Sequence, residues 1–100
     1  MITTIQTIDD QLVAILDGQL DTAAAAETEK ALQPAMECTD RDIVVDCTKL
    51  AYISSSGLRL LLSLNKKIKA NGHKVILRGL NNDLLKVFAM TGFNNLFEMQ

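Results

Sequence analysis

The chain predicts a single α/β domain, residues 1–100, in which a mixed β-sheet of four to five strands is covered by about four helices. Three observations lead there. The first 16 residues read as two strand segments around the turn-forming pair Asp9-Asp10, and residues 43–47 form a short, nearly continuous apolar run. Beyond that run, helical periodicities alternate with further strand signals. A length of 100 residues, 48% of them hydrophobic, suits one core and leaves no room for a second.

Each element has its own signal. Residues 2–8 alternate loosely, and residues 12–16 look like a more buried second strand that Gly18 is expected to end. Asp21 stands immediately before the alanine- and glutamate-rich residues 22–37, which read as a helix with Asp21 as its N-cap, Pro34 marking a weakened last turn. Residues 38–42 are polar and read as a loop. The apolar run 43–47 then reads as a central strand, because strands buried on both faces lose the alternation of half-exposed ones. From Ser55 or Ser56 to about residue 70, Leu58, Leu61, Leu62, Leu64 and Ile68 recur at helical spacing, and Asn71-Gly72 supplies a stop. Residues 74–77 read as another buried strand ending near Gly79. Residues 82–89 carry Leu84, Leu85 and Phe88 on one helical face, and Gly92 breaks that helix before a short final turn and Leu96-Phe97-Glu98.

Composition narrows the function. The net charge is −2 with both signs interspersed, so there is no basic stripe to neutralise a nucleic-acid backbone, and nucleic acid is not an expected partner. Lys66, Lys67 and Lys69 cluster only in the last turns of the central helix, where the macrodipole favours cations. The first residues show no basic segment followed by an apolar core. The apolar stretches are too short and interrupted for a span of roughly 20 residues. The expectation is a cytoplasmic protein without membrane insertion. Cys38 and Cys47 match no metal spacing and read as reduced, structural thiols. No glycine-rich phosphate loop, metal cluster or dinucleotide fingerprint occurs, so no cofactor is expected.

The segment Ser54-Ser55-Ser56-Gly57-Leu58 lies between the central strand and the best helix. A strand-to-helix turn is where hydrolases carry a nucleophilic serine, but that elbow needs glycine two residues before the nucleophile, and Ser54 stands there. The single histidine, His73, falls in a turn at the other end of the helix, roughly 20 Å away, too far for a proton relay. It reads as a solvated turn residue, and a small serine hydrolase is not supported. Asp9, Asp10, Asp40 and Asp42 read as turn carboxylates without a role, and Asp46 as a strand-end carboxylate capping nearby backbone. A serine at a helix start is well suited to modification. A phosphate there brings about two negative charges to the positive end of the macrodipole.

Gly18-Gln19-Leu20-Asp21, Asp46-Cys47-Thr48, Ser54-Ser55-Ser56-Gly57-Leu58 and the closing Leu84, Phe88 and Gly92 resemble, in order and spacing, a STAS domain of the anti-sigma factor antagonists. The resemblance covers essentially the whole chain and implies a STAS-like fold and no enzymatic activity. In proteins of this kind the serine directly before the glycine, Ser56 here, is phosphorylated by a partner that is both anti-sigma factor and serine kinase. The unphosphorylated antagonist binds that partner and frees the sigma factor; a serine phosphatase resets the phosphorylated form. The resemblance places Asp21, Ser54, Ser55, Gly57 and Arg59 at the partner-binding surface, with Ser55 a secondary phosphorylation candidate. Arg59 follows Ser56 by three residues, within side-chain reach on a helix surface. The family often has aspartate where Ser54 stands, a change that removes a carboxylate from the serine's neighbourhood. Small members of the family also serve as accessory subunits of phospholipid-transport ABC systems, the alternative reading.

Overall fold

Asp9 and Asp10 both take positive φ, 51° and 63°, as the two central residues of a type I′ turn must. They join β1 (Ile2–Ile8) to β2 (Gln11–Leu20) as an antiparallel hairpin in which Ile8 stands opposite Gln11. In the computed structural model, which describes residues 1–38 and 40–100, β2 runs parallel to β3 (Ile43–Ile53), β3 parallel to β4 (Val75–Arg78), and β4 parallel to β5 (Glu98–Met99). Thr39, in the predicted loop 38–42, lies outside the described residues. The order across the sheet is the order in the chain, β1-β2-β3-β4-β5, with only β1 reversed. The helices α1 (Thr22–Ala31), α2 (Gln33–Met36), α3 (Ser55–Ala70) and α4 (Asn82–Thr91) complete the mixed sheet with four helices that the sequence predicts.

The helices and one sheet face share the main core. Leu16, Val45, Leu50 and Leu77 from the strands meet Leu61, Leu64, Ile68 and Phe88 from the helices and Leu32 from the break between α1 and α2, all of them buried. Phe88 stands edge-on to Phe97, with ring centroids 6.0 Å apart, so the segment after α4 is held by an aromatic contact. The other sheet face carries a smaller buried cluster of Val13, Val44 and Ile76. The ion pairs Arg78–Asp46 and Lys74–Glu98 are each 3.0 Å, the first joining β4 to β3 and the second joining the residue before β4 to β5.

Several predicted boundaries move, each for a local reason. Gly18 does not end β2. At φ +119° it sits where the register with β3 shifts, and the strand resumes pairing as far as Leu20. The central strand runs past Cys47 to Ile53, because β4 flanks only Ile43 to Asp46 while β2 continues alongside the remainder. Asp46 therefore lies mid-strand rather than at its end, although it does cap local backbone: Thr48 N–H donates to its Oδ1 at 3.0 Å. The helix expected over residues 22–37 breaks at Leu32, and Pro34 sits in the first turn of α2, where its missing N–H is no loss. The chain end adds a short fifth strand after a 3-10 turn at Phe93–Asn95.

His73 and Asp42 are not idle turn residues either. Asp42 Oδ1 accepts from the Lys74 N–H at 3.1 Å and lies 3.3 Å from His73 Nδ1, which pins the loop before β3 to the loop before β4. Cys38 and Cys47 are free thiols. Cys47 is buried, and that burial, with the Asp46 carboxylate beside it, pushes its thiol up to about 12, leaving it no thiolate character near neutrality.

Burial alone would raise the Asp46 carboxyl, but hydrogen bonds from Thr48 and the Arg78 guanidinium outweigh it and hold the group below its ordinary value of 3.8. A carboxylate depressed in the folded state adds stability above its unfolded-state value and loses it as the pH falls through the folded value. Wild type is therefore expected to exceed Asp46→Asn in stability by about 1 kcal/mol at neutral pH. That margin should shrink below about pH 4, the range set by the unfolded carboxyl. Urea denaturation at a series of pH values measures it.

Candidate functional site

Parallel strands each followed by a helix bring every strand-to-helix loop to one edge of the sheet. Three helix N-termini meet there, each with a side-chain cap: Asp21 accepts from the Ala24 N–H at 2.8 Å, Ser54 from the Gly57 N–H at 3.2 Å, and Asn81 from the Leu84 N–H at 2.9 Å. The register Leu20 opposite Ile53 sets the first two loops side by side, and the Ser54 N–H donates to Leu20 O at 2.8 Å. Asp21 and the serine turn, 33 positions apart in the sequence, thus become neighbours.

The three serines divide by role. Ser54 is buried, and its hydroxyl is engaged in the cap. Serine caps as well as aspartate does, so the carboxylate missing at this position leaves the start of α3 correctly formed. Ser55 is exposed, and Ser56 is half-buried on the first turn of α3, opening onto a groove of about 210 Å³. The groove is lined by Ser56, Arg59, Leu60 and Ser63 of α3 and by Ala25 and Glu29 of α1. Arg59 is exposed, and unlike Arg41 and Arg78 it makes no ion pair among the described residues. Asp21 opens instead onto a neighbouring groove with Gln19 and Glu27.

Gly57 is enclosed rather than presented. A Cβ at this position would lie 2.7 Å from Leu20 Cγ, 2.8 Å from Ile53 Cγ1 and 3.0 Å from Leu20 O. Only glycine lets α3 begin this close to the ends of β2 and β3, and that approach sets where Ser56 stands. The first turn of α3 holds no acidic side chain, so nothing on it offsets the positive end of the helix dipole.

Sequence reasoning did not single out Tyr52. It stands opposite Gln19 across β2 and β3, two residues before Ser54, and half of it is exposed. Its signal was available, since it is the only tyrosine in the chain and sits just upstream of the serine turn. Exposed aromatic side chains are frequent anchors at protein interfaces. His73, by contrast, lies beyond the far end of α3, and among the described residues no group of three or more His, Cys, Asp or Glu side chains could hold a metal ion. No described helix is long and apolar enough to cross a membrane. The arrangement offers a half-buried hydroxyl in a groove that also holds the Arg59 and Glu29 side chains.

Comparison with known proteins gives a consistent picture. A family model described as the STAS domain matches residues 3–100. BtrV of Bordetella bronchiseptica, a proposed anti-sigma factor antagonist, is 33% identical over 94 residues, covering 94% of this chain and 81% of the relative. The anti-sigma-B factor antagonist of Staphylococcus aureus is 28% identical over 82 residues, covering 82% of this chain and 76% of its own. The anti-sigma factor antagonist SpoIIAA shares the fold. Its unphosphorylated form is 22% identical, with a TM-score of 0.75 over 99% of this chain and 87% of that one. The phosphorylated form, from Bacillus, is 21% identical, with a TM-score of 0.73 over 99% and 91%.

Proposed function

Because the chain belongs to the STAS domain family, we propose that it is an anti-sigma factor antagonist that binds an anti-sigma factor and is released from it by phosphorylation of Ser56. The observation that carries the reading is the state of the three hydroxyls. Ser54 is spent on the cap, whereas Ser56 stands at the same helix start with no hydrogen bond among the described residues, on a turn whose dipole no acidic side chain offsets. Relatives named as anti-sigma factor antagonists support the partner class, and a solved phosphorylated form of SpoIIAA supports the modification.

The switch follows from electrostatics. An anti-sigma factor that covers Ser56, Tyr52 and the exposed side of Asp21 buries a small neutral hydroxyl. A phosphate in its place must lose its water or find a cation, and an unmatched buried charge costs several kcal/mol. The partner is then an anti-sigma factor with serine kinase activity, a serine phosphatase reverses the mark, and the cycle runs in the cytoplasm. Ser55, exposed one residue earlier, is the secondary target.

Arg59 tempers the added charge from within the chain. It shares the groove with Ser56, so its guanidinium stabilises the phosphate dianion, while Glu29 opposes it from α1. The second ionisation of phosphoserine 56, followed by phosphorus NMR, is expected about half a pH unit higher in Arg59→Ala than in wild type. Equal titration in the two would remove Arg59 from the mechanism.

Affinity isolation of the chain from its own cells tests the partner class. A histidine-kinase-like serine kinase in the bound fraction supports the reading. A transporter ATPase there in its place would make the chain an accessory subunit of a phospholipid-transport ABC system.

A further inference from the structure

β1 is the outer strand of the sheet, and it lacks the devices that usually blunt such an edge, having no lysine, no proline and no charged residue between Ile2 and Ile8. Its sequence, Ile2-Thr3-Thr4-Ile5-Gln6-Thr7-Ile8, reads nearly the same in both directions about Ile5. The turn fixes the hydrogen-bonding phase of the strand. Residues flanking a two-residue type I′ turn form a bonded pair, and bonded and non-bonded pairs alternate. Ile8, Gln6, Thr4 and Ile2 therefore direct their backbone groups at β2, and Thr7, Ile5 and Thr3 direct theirs outward. Ile5 faces the helices and packs against the main core. Ile2 and Ile8, on the opposite face, are 66% and 45% exposed, among the most exposed large apolar side chains of the molecule.

We propose that a second copy of this chain pairs with β1, antiparallel about a two-fold axis at Ile5, joining two five-stranded sheets into one continuous sheet. In this register Thr3 meets Thr7 of the partner subunit, Ile5 meets Ile5 of the partner subunit, and every outward-facing backbone group on these residues finds a bond. Ile2 stands across from Ile8 of the partner subunit, so both exposed isoleucines leave water at once. A slip of one residue sets outward groups against inward ones. A slip of two loses a bonded pair and leaves the isoleucines facing polar side chains. The contact is isologous and closed, as a two-fold axis requires. Because the two-fold axis sets the two copies of β1 antiparallel, the two copies of β2 also run in opposite directions. The two serine turns therefore end up at opposite edges of the joined sheet, and neither covers the other.

Sedimentation of the full chain over a range of concentrations tests the proposal, with two double variants at exposed positions that leave the monomer fold intact, as circular dichroism melts would verify. Wild type is expected to pass from monomer to dimer as concentration rises. Ile2→Lys/Ile8→Lys sets like charges opposite each other and is expected to raise the dissociation constant about tenfold or more. Ile2→Lys/Ile8→Glu sets opposite charges in the same places and is expected to dimerise, more weakly as salt rises. A wild type that stays monomeric to the highest concentration, or a dimer that both double variants affect alike, would overturn the proposal.

Discussion

Ser56→Asp is expected to weaken binding to the anti-sigma factor by about tenfold or more, and Ser56→Ala to leave affinity within about twofold of wild type. The asymmetry comes from what each change places at the start of α3. Alanine removes a hydroxyl that makes no hydrogen bond among the described residues, so nothing inside the chain is left unpaired. Aspartate adds a charge that must be desolvated when the partner closes over it. The helix dipole lowers that cost only in part, since such terms amount to about 0.3–1 kcal/mol at exposed sites. Isothermal titration calorimetry with the purified anti-sigma factor reads both variants. In cells, the alanine variant should antagonise permanently.

Gly57→Ala is expected to cost about 1–3 kcal/mol of stability, because the added methyl overpacks a junction with little slack. For a chain of this length each kcal/mol corresponds to a fall in Tm of about 4–8 °C. Two of the neighbours it would crowd are side-chain atoms of Leu20 and Ile53, but the third, 3.0 Å away, is Leu20 O, which also accepts the hydrogen bond from Ser54. Relief must therefore come from moving the loop that carries the serines away from Asp21, so the variant should also bind the partner less well per folded molecule. Shortening Leu20 to alanine removes one of the crowding atoms. A double-mutant cycle of Leu20→Ala and Gly57→Ala in urea denaturation is expected to show a favourable coupling.

How much of this was legible in the sequence depended on what each residue's neighbours do. The apolar run 43–47 reads as a strand because β2 and β4 flank most of it, whereas residues 48–53 pair with β2 alone and bury only Leu50 and Ile53 between exposed neighbours, a spacing that gives no continuous apolar run. Gly18 carries a stop signal that a bulge overrides, because a register shift against β3 is invisible from one strand. Asp21 reads correctly as a cap, since capping is local in sequence. That Ser54, and not its neighbours, caps α3 is a matter of backbone angles, φ −88° and ψ 172°, which three consecutive serines do not reveal. The pinning of His73 to Asp42 spans 31 residues and follows from the parallel crossover rather than from either residue's surroundings in the chain. The groove shared by Arg59 and Glu29 likewise exists only once α1 and α3 lie side by side.

In the proposed switch, phosphate on Ser56 and partner binding exclude each other. Site-resolved mass spectrometry of the chain isolated from its own cells, divided into partner-bound and free fractions, tests that most directly. Phosphate is expected on Ser56 in the free fraction and almost none in the bound one. Equal occupancy in the two fractions, or an unmodified Ser56 in both, would contradict it.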